Sequence, residues 1–195
     1  VMGTGEPLDN YDSLLRFIHL LTCDGGLHIS QRNLTVSTCG IVPNMRRLAD
    51  EKLQITLALS LHASSQEKRK TLMPVANKYA LDDVLDACRY YFEQTGRRIT
   101  FEYSLVGGVN DSAEDARELA ALVHDINCHI NLIPVNPIKE RDYVQSDNSA
   151  IQSFKNKLEK SGINVTIRRE MGRDIDGACG QLRKSYMDTE KERGE

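Results

Sequence analysis

The chain has 195 residues, of which 40% are hydrophobic and 27% are charged, and its formal net charge is −3. This composition is typical of a globular domain with a real core and excludes a fibrous or low-complexity chain. No run approaches the roughly 20 apolar residues of a membrane span, so we expect no membrane partner. The scattered, odd-numbered cysteines favour a reducing cytoplasm. The net charge neither predicts nor excludes nucleic-acid binding, because binding depends on local patches.

Hydrophobic periodicity predicts alternating helices and strands along the chain. Helices are predicted over 10–23, 43–51, 64–72, 81–94, 112–125 and 148–161, and strands over 32–38, 54–61, 98–105, 128–133 and 163–168. The first residues read as the end of a further strand. Strands that alternate with helices indicate a parallel sheet covered by helices, either doubly wound or a barrel. We assign residues 1–186 to this core and 187–195 to a charged, disordered tail.

Polar residues stand where several predicted strands end, the edge at which parallel sheets bind ligands. They are Glu6, which follows Gly5, then Ser37, the Ser60–Leu61–His62 segment, Glu102 or Tyr103 within one strand, and Asn136 between two prolines. Each has a structural interpretation: loop flexibility for the glycine, turn capping for the hydroxyls, a packing role for the histidine. Glu6, Ser37, Ser60, His62 and Asn136 together would surround one rim of the sheet and predict a site for a small zwitterionic or nucleoside-like ligand.

Five cysteines are scattered along the chain, at Cys23, Cys39, Cys88, Cys128 and Cys179. Their spacing argues against a disulfide framework and against a compact metal site. Cys179 differs from the others because its segment, DIDGACGQL (174–182), surrounds the sulfur with small residues and glycines. Such a loop keeps a thiol accessible for chemistry, although a small apolar residue in a tight turn is the alternative. We interpret the other four as buried or unreactive thiols.

Five ordered segments, VMGTGEPL, LTVSTCGIVP, LALSLHA, NLIPVNP and DIDGACGQL, resemble the radical S-adenosylmethionine RNA methyltransferases of the adenine-C2 type. These enzymes modify 23S ribosomal RNA and often transfer RNA. The resemblance runs from Val1 to about Leu182. It implies a partial (β/α) barrel of the radical SAM type, S-adenosylmethionine and a 4Fe-4S cluster as cofactors, and an electron donor such as flavodoxin or ferredoxin. It also implies a monomer when full length.

The resemblance implies roles for individual residues. Gly5, Glu6, Ser37, the Ser60–Leu61–His62 segment and Asn136 would bind S-adenosylmethionine, and Cys179 would carry a methyl group as S-methylcysteine. Adenine C2 is too electron-poor to attack a sulfonium methyl group, which explains why an intermediate methyl carrier is needed.

The sequence lacks the CxxxCxxC motif that would hold the cluster. The family places this motif upstream of the GEP segment, with a base, an RNA-binding domain and a cysteine that resolves the adduct as a disulfide. We therefore expect this chain to be a C-terminal portion with no metal ligands of its own, inactive by itself. The alternatives are an adenine-C8 methyltransferase of the antibiotic-resistance type, which tends to carry GEA where this chain has GEP, and a non-catalytic fragment that binds RNA or S-adenosylmethionine. A metabolic α/β barrel lacks support, because no glycine-rich phosphate loop opens a helix.

Basic residues cluster at several places. Arg168, Arg169 and Arg173 directly precede the Cys179 segment, where cations would favour a thiolate and could meet RNA phosphate. We interpret the helical clusters, such as residues 68–70, as a solvent-exposed charged face.

Overall fold

The computed structural model of the chain describes residues 1–2, 5–135 and 143–168. The strands are β1 (Thr35–Thr38), β2 (Thr56–Ser60), β3 (Ile99–Leu105), β4 (Cys128–Pro134) and β5 (Asn164–Ile167). The helices are α1 (Tyr11–Thr22), α2 (Val42–Asp50), α3 (Gln66–Leu72), α4 (Leu81–Thr95), α5 (Ala113–Val123) and α6 (Asn148–Lys160). The five strands and six helices that were predicted by residue range are confirmed, with small shifts at the ends.

The sequence did not predict three short 3-10 helices, at Pro7–Asn10, Gln31–Asn33 and Pro74–Asn77. The second of them corrects the prediction of a strand from residue 32, since β1 begins only at Thr35. The predicted strand at the first residues is not assigned as one. Val1 nevertheless lies against β1, donating from its amino group to the Thr35 carbonyl and accepting from Ser37 N–H at 3.1 Å.

The five strands form one parallel sheet in the order β1-β2-β3-β4-β5. Each strand pairs with the next in the chain, and crossovers between parallel strands are almost always right-handed, so the connecting helices all cover one face. A doubly wound sheet would reverse its strand order at some point, and none of the described strands does. The architecture is therefore a partial (β/α) barrel, which settles the choice that the sequence left open.

Alternation along the strands separates two faces of the sheet. The face toward the helices carries the core, including Leu57, Leu59, Phe101, Ile130 and Leu132, all fully buried. The opposite face, called here the polar face, carries Ser37, Ser60, Thr100, Glu102, Ser104, His129, Asn131 and Thr166. Hydrophobic burial against the helices thus leaves the polar face free to carry a site.

Local signals in the sequence explain where the helices begin and end. Ser112 and Asp115 form a capping box at the start of α5, and Gly96 ends α4 in the left-handed conformation, with φ 66°. Both features satisfy backbone groups that a helix terminus leaves without partners. Among the described residues, no helix is both long and apolar enough to cross a membrane.

Candidate active site at the strand ends

Glu6 lies beside the carboxyl end of β1 and is held there by the backbone. Its Oε2 accepts a hydrogen bond from Cys39 N–H at 2.7 Å, and its Oε1 accepts from Leu8 N–H at 3.0 Å. Gly5 adopts φ 94°, a conformation that residues with a side chain rarely reach, so it sets the direction in which Glu6 enters. Because an ionised carboxylate can accept about four hydrogen bonds, two backbone bonds orient Glu6 and leave capacity for a cationic ligand.

Two serine hydroxyls on the polar face lie at neighbouring strands. Ser37 is near the end of β1 and Ser60 is the last residue of β2, and both are half-buried. Neither hydroxyl has a hydrogen-bond partner among the described residues. Half-buried hydroxyls without protein partners are suited to bind a polar ligand, since a packing role would not require them.

His62 follows β2 and bridges toward β3. Its Nδ1 accepts a hydrogen bond from Ser104 N–H at 3.0 Å, so Nδ1 is the unprotonated nitrogen. Burial, together with the nearby charge of Arg69, lowers the pKa of His62 to about 4. The ring is therefore neutral at physiological pH, and Nε2 is its remaining hydrogen-bonding position.

The backbone of His62 is held in an unusual conformation by Asn110. His62 has φ 58°, which is rare for a residue with a side chain. Asn110 is fully buried, and its Nδ2 donates to the carbonyls of His62 and Ser104, both at 2.7 Å, while its Oδ1 accepts from Val106 N–H at 2.8 Å. Asn110 thus joins the end of β2 to the end of β3.

Arg69 joins the end of β1 to the end of β2 in the same way. It is fully buried, its Nη2 donates to the Cys39 carbonyl at 2.8 Å, and its Nε donates to the Leu61 carbonyl at 3.3 Å. For Arg69 this corrects the prediction that residues 68–70 form a solvent-exposed charged face, whereas Lys70 is exposed as predicted. Two backbone carbonyls replace part of the water that would otherwise solvate the Arg69 charge, while its Nη1 is buried without a hydrogen-bond partner among the described residues.

Leu61 differs from the other predicted cofactor contacts. Its side chain is fully buried in the core, and its N–H donates to the Glu102 carbonyl at 3.0 Å. Its role in a site would come from the backbone position that it gives to His62.

Three thiols within the described residues have raised pKa values and are therefore poor nucleophiles. Burial raises the pKa of Cys39 and of Cys88 to about 12 and that of Cys128 to about 11. Cys88 and Cys128 are buried, whereas Cys23 and Cys39 are half-buried. For the three with raised pKa values, these findings agree with our interpretation of unreactive thiols, because the thiolate is the reactive form.

Several predicted residues lie outside the described part of the chain: Asn136, Arg169, Arg173 and Cys179. Arg168 is described. It is exposed, and its N–H continues the β5–β4 ladder by donating to the Leu132 carbonyl at 2.8 Å.

Sequence reasoning missed the polar pairs on β4 and β5. Asn131 Nδ2 donates to Glu102 Oε2 at 2.8 Å, and Thr166 Oγ1 donates to Asn131 Oδ1 at 3.1 Å. The signal was present, since polar residues alternate with apolar ones in CHINLIP and NVTIR. Reading such alternation as an inward-facing row would have found them.

A family model of the radical SAM superfamily matches residues 1–121. The chain belongs to the radical SAM superfamily. Membership implies S-adenosylmethionine and a 4Fe-4S cluster as cofactors.

Curated relatives agree with this assignment. The chain is 69% identical over 188 residues to a "Probable dual-specificity RNA methyltransferase RlmN" of Lachnospira eligens, a match that covers 96% of this chain and 54% of the relative. A protein with the same name from Clostridium perfringens strain 13 is 58% identical over 187 residues, again covering 96% and 54%. The chain spans about half the length of these relatives.

Solved structures show the same fold. A radical SAM methyltransferase from Sphaerobacter thermophilus superposes with a TM-score of 0.89 at 43% identity, covering 93% of this chain and 53% of that one. A domain of pyruvate-formate lyase-activating enzyme from Bacteroides vulgatus superposes with a TM-score of 0.63 at 18% identity, covering 85% and 95%, and supports the fold alone.

The two implied cofactors fit the described residues differently. A carboxylate with spare acceptor capacity, two hydroxyls without partners among the described residues and a neutral imidazole suit the zwitterionic and nucleoside parts of S-adenosylmethionine. The described residues contain no group of three or more His, Cys, Asp or Glu side chains that could hold a metal ion. They therefore do not fit a 4Fe-4S cluster, which requires several cysteine thiolates together.

Proposed function

We propose that the whole protein is a radical SAM methyltransferase that methylates C2 of an adenine in 23S ribosomal RNA and in transfer RNA. The observation that carries this proposal is the 69% identity, over 96% of the chain, to a relative named as a dual-specificity RNA methyltransferase. The free polar groups at the strand ends, where a ligand of a parallel (β/α) fold binds, support it independently.

Within this proposal, the strand-end residues bind S-adenosylmethionine. Glu6 accepts hydrogen bonds from the ammonium group, and the Ser37 and Ser60 hydroxyls bind the carboxylate or ribose. His62 offers its Nε2–H from a ring that stays neutral, so it adds no charge next to a sulfonium ion. Asn136 completes the set as an amide contact.

Cys179 carries the methyl group in the same proposal. Its thiolate attacks the sulfonium methyl carbon, a new C–S bond forms, the bond between that carbon and the sulfonium breaks, and S-adenosylhomocysteine leaves. Arg168, Arg169 and Arg173 lie close in sequence to Cys179 and favour the thiolate over the thiol. The methylated cysteine then supplies the carbon that reaches adenine C2.

The cluster, when bound, supplies the electron needed to cleave a second S-adenosylmethionine. The described residues offer no ligand set for it, and we place its ligands, the resolving cysteine and the base outside this chain. The isolated chain is therefore expected to be inactive.

The test is peptide mass spectrometry of the whole protein as its native cell makes it. A mass increase of one methyl or methylene group on the Cys179 peptide, absent from the Cys39 and Cys88 peptides, supports the proposal. An unmodified Cys179 in a protein that still methylates RNA would contradict the role given to this cysteine.

The RNA contact has its own test. Arg168→Glu and Arg169→Glu, made together, are expected to weaken RNA binding and flatten its dependence on salt, because each lost phosphate contact lowers the salt slope by about one. Arg117→Glu on α5 is the matched control, since Arg117 is an exposed arginine on a helix. Unchanged affinity and salt slope in the double variant would contradict the proposed contact.

A further inference from the structure

A row of polar side chains crosses the polar face from β2 to β5. Ser60 is paired in register with Glu102, Glu102 with Asn131, and Asn131 with Thr166. The row begins at a residue of the proposed cofactor site and leads away from it. Glu102 is buried, Asn131 is half-buried and Thr166 is exposed, so the row opens toward solvent.

The hydrogen bonds of this row all point in one direction. Thr166 Oγ1 lies 3.2 Å from His129 Nε2 and donates to Asn131 Oδ1 at 3.1 Å. A hydroxyl has only one proton to donate, so the contact with His129 is one in which Nε2–H donates to Thr166. Asn131 in turn donates to Glu102 Oε2 at 2.8 Å. This series of hydrogen bonds ends on the Glu102 carboxyl group and fixes the orientation of the Asn131 amide.

Two hydrogen-bonding positions remain unused at the Glu102 end of this series of hydrogen bonds. Glu102 Oε1 has no hydrogen-bond partner among the described residues, and Asn131 Nδ2 has a second proton that no described bond uses. An acceptor therefore lies beside a donor on adjacent strands. The edge of adenine offers the complement, an exocyclic amine beside a ring nitrogen, and an asparagine amide commonly pairs with it.

The position of Glu102 is costly without a ligand. Only 6% of its surface is exposed, it forms no salt bridge with a described residue, and burial raises its pKa despite the opposing effects of Asn131 and the Arg168 charge. Carboxyl groups perturbed by burial cluster at functional sites, which makes Glu102 a candidate for one.

We propose that Glu102 and Asn131 form a base-binding subsite on the polar face, which receives the purine base of the RNA substrate beside the cofactor. This inference rests on the proposed function. Glu102 Oε1 accepts from the exocyclic amine of the base, and Asn131 Nδ2 donates to the neighbouring ring nitrogen. Thr166 and His129 act as positioning residues, since they orient Asn131 without contacting the base.

The experiment pairs a protein change with a change in the base. The whole protein with its cluster is assayed for kcat/KM on an RNA fragment with adenosine at the target position, and on the same RNA with purine riboside, which lacks the exocyclic amine. Glu102→Gln presents an amide in place of the carboxylate. Thr100→Val, on the same strand and face two residues away, is the matched control.

We expect the purine riboside alone and Glu102→Gln alone each to reduce kcat/KM by about 100-fold, and both together to reduce it little further. Such non-additivity shows that the two changes remove the same contact. Thr166→Val is expected to cost about 10-fold, because it only loosens Asn131, and Thr100→Val is expected to have no effect. The affinity for S-adenosylmethionine should stay within about threefold in every variant, which also shows that each is folded.

Two results would overturn the inference: losses that multiply toward 10,000-fold, or an affinity for S-adenosylmethionine that falls in parallel with kcat/KM. The second would assign Glu102 to the cofactor. A wild-type protein that binds S-adenosylmethionine but methylates no RNA would instead overturn the proposed function, a failure visible before any variant is compared.

Discussion

Replacing Asn110 with alanine should destabilise the fold more than its position in a surface loop suggests. The Asn110 side chain satisfies three backbone groups at once, the carbonyls of His62 and Ser104 and the N–H of Val106. Alanine keeps the backbone, including the carbonyl that accepts from the Tyr103 hydroxyl at 2.9 Å, so the loss is confined to the side chain.

The magnitude follows from the groups left without partners. A buried polar group that loses its hydrogen bond costs about 1–3 kcal/mol. Val106 is buried, whereas His62 and Ser104 are half-buried and can recover water. We count the full cost of a lost hydrogen bond for the Val106 N–H and part of that cost for each of the two carbonyls. The sum is a decrease of about 3 kcal/mol in the free energy of unfolding. His62 should also lose its left-handed conformation, so the affinity for S-adenosylmethionine should fall.

The assay is urea unfolding of the chain, followed by far-ultraviolet circular dichroism. Asn164→Ala, an exposed asparagine on edge strand β5, serves as the control and should change the free energy of unfolding by no more than about 0.5 kcal/mol. If Asn110→Ala lowers the free energy of unfolding by less than about 1 kcal/mol, the role given to this side chain is refuted.

Three further predictions concern buried groups of the fold. Arg69→Met should lower the free energy of unfolding by about 2–4 kcal/mol in the same assay, because the Cys39 and Leu61 carbonyls lose their donors; an unchanged value would contradict the bridging role. His62 has a pKa lowered from 6.5 to about 4 in the folded state, so the unfolded chain binds its proton first, and stability should fall as pH drops from 6.5 to 4. A His62→Gln variant should lose this part of the pH dependence, and parallel curves for the two proteins would disprove the assignment. Cys88, with its pKa raised to about 12, should resist iodoacetamide at pH 8 in the folded chain and react fully in urea, as mass spectrometry can measure; equal labelling rates would show that it is accessible.

The sequence predicted the sheet because its strands stand between helical periods either as short apolar runs or as alternating segments. QITLALSL and RITFEYSL each gave a strand at the correct place. It could not choose between a barrel and a doubly wound sheet, since strand order depends on how each crossover packs and not on any one segment.

The candidate site could be predicted only in part. Glu6, Ser37, Ser60 and His62 stand at strand ends, so their positions follow from the element pattern. Arg69 could not be found in this way, because a basic residue within EKRK reads as a solvated charge until the Cys39 and Leu61 carbonyls are known to face it.

Asn110 posed a similar difficulty. Within GGVND it reads as an ordinary turn residue, and its importance depends on contacts 48 residues away in the chain, at His62. Side chains that organise a site through tertiary contacts leave no periodic signal in the sequence.

Nucleoside mass spectrometry of ribosomal and transfer RNA tests the central claim most directly. RNA from a strain that lacks the gene would be compared with RNA from the same strain complemented by the wild-type whole protein or by its Cys179→Ala variant. The proposed function requires 2-methyladenosine in the wild-type sample and its absence from the other two. Methylation at C8 in place of C2 would show that the protein is a methyltransferase of the antibiotic-resistance type. RNA with no gene-dependent methyladenosine would contradict the proposal.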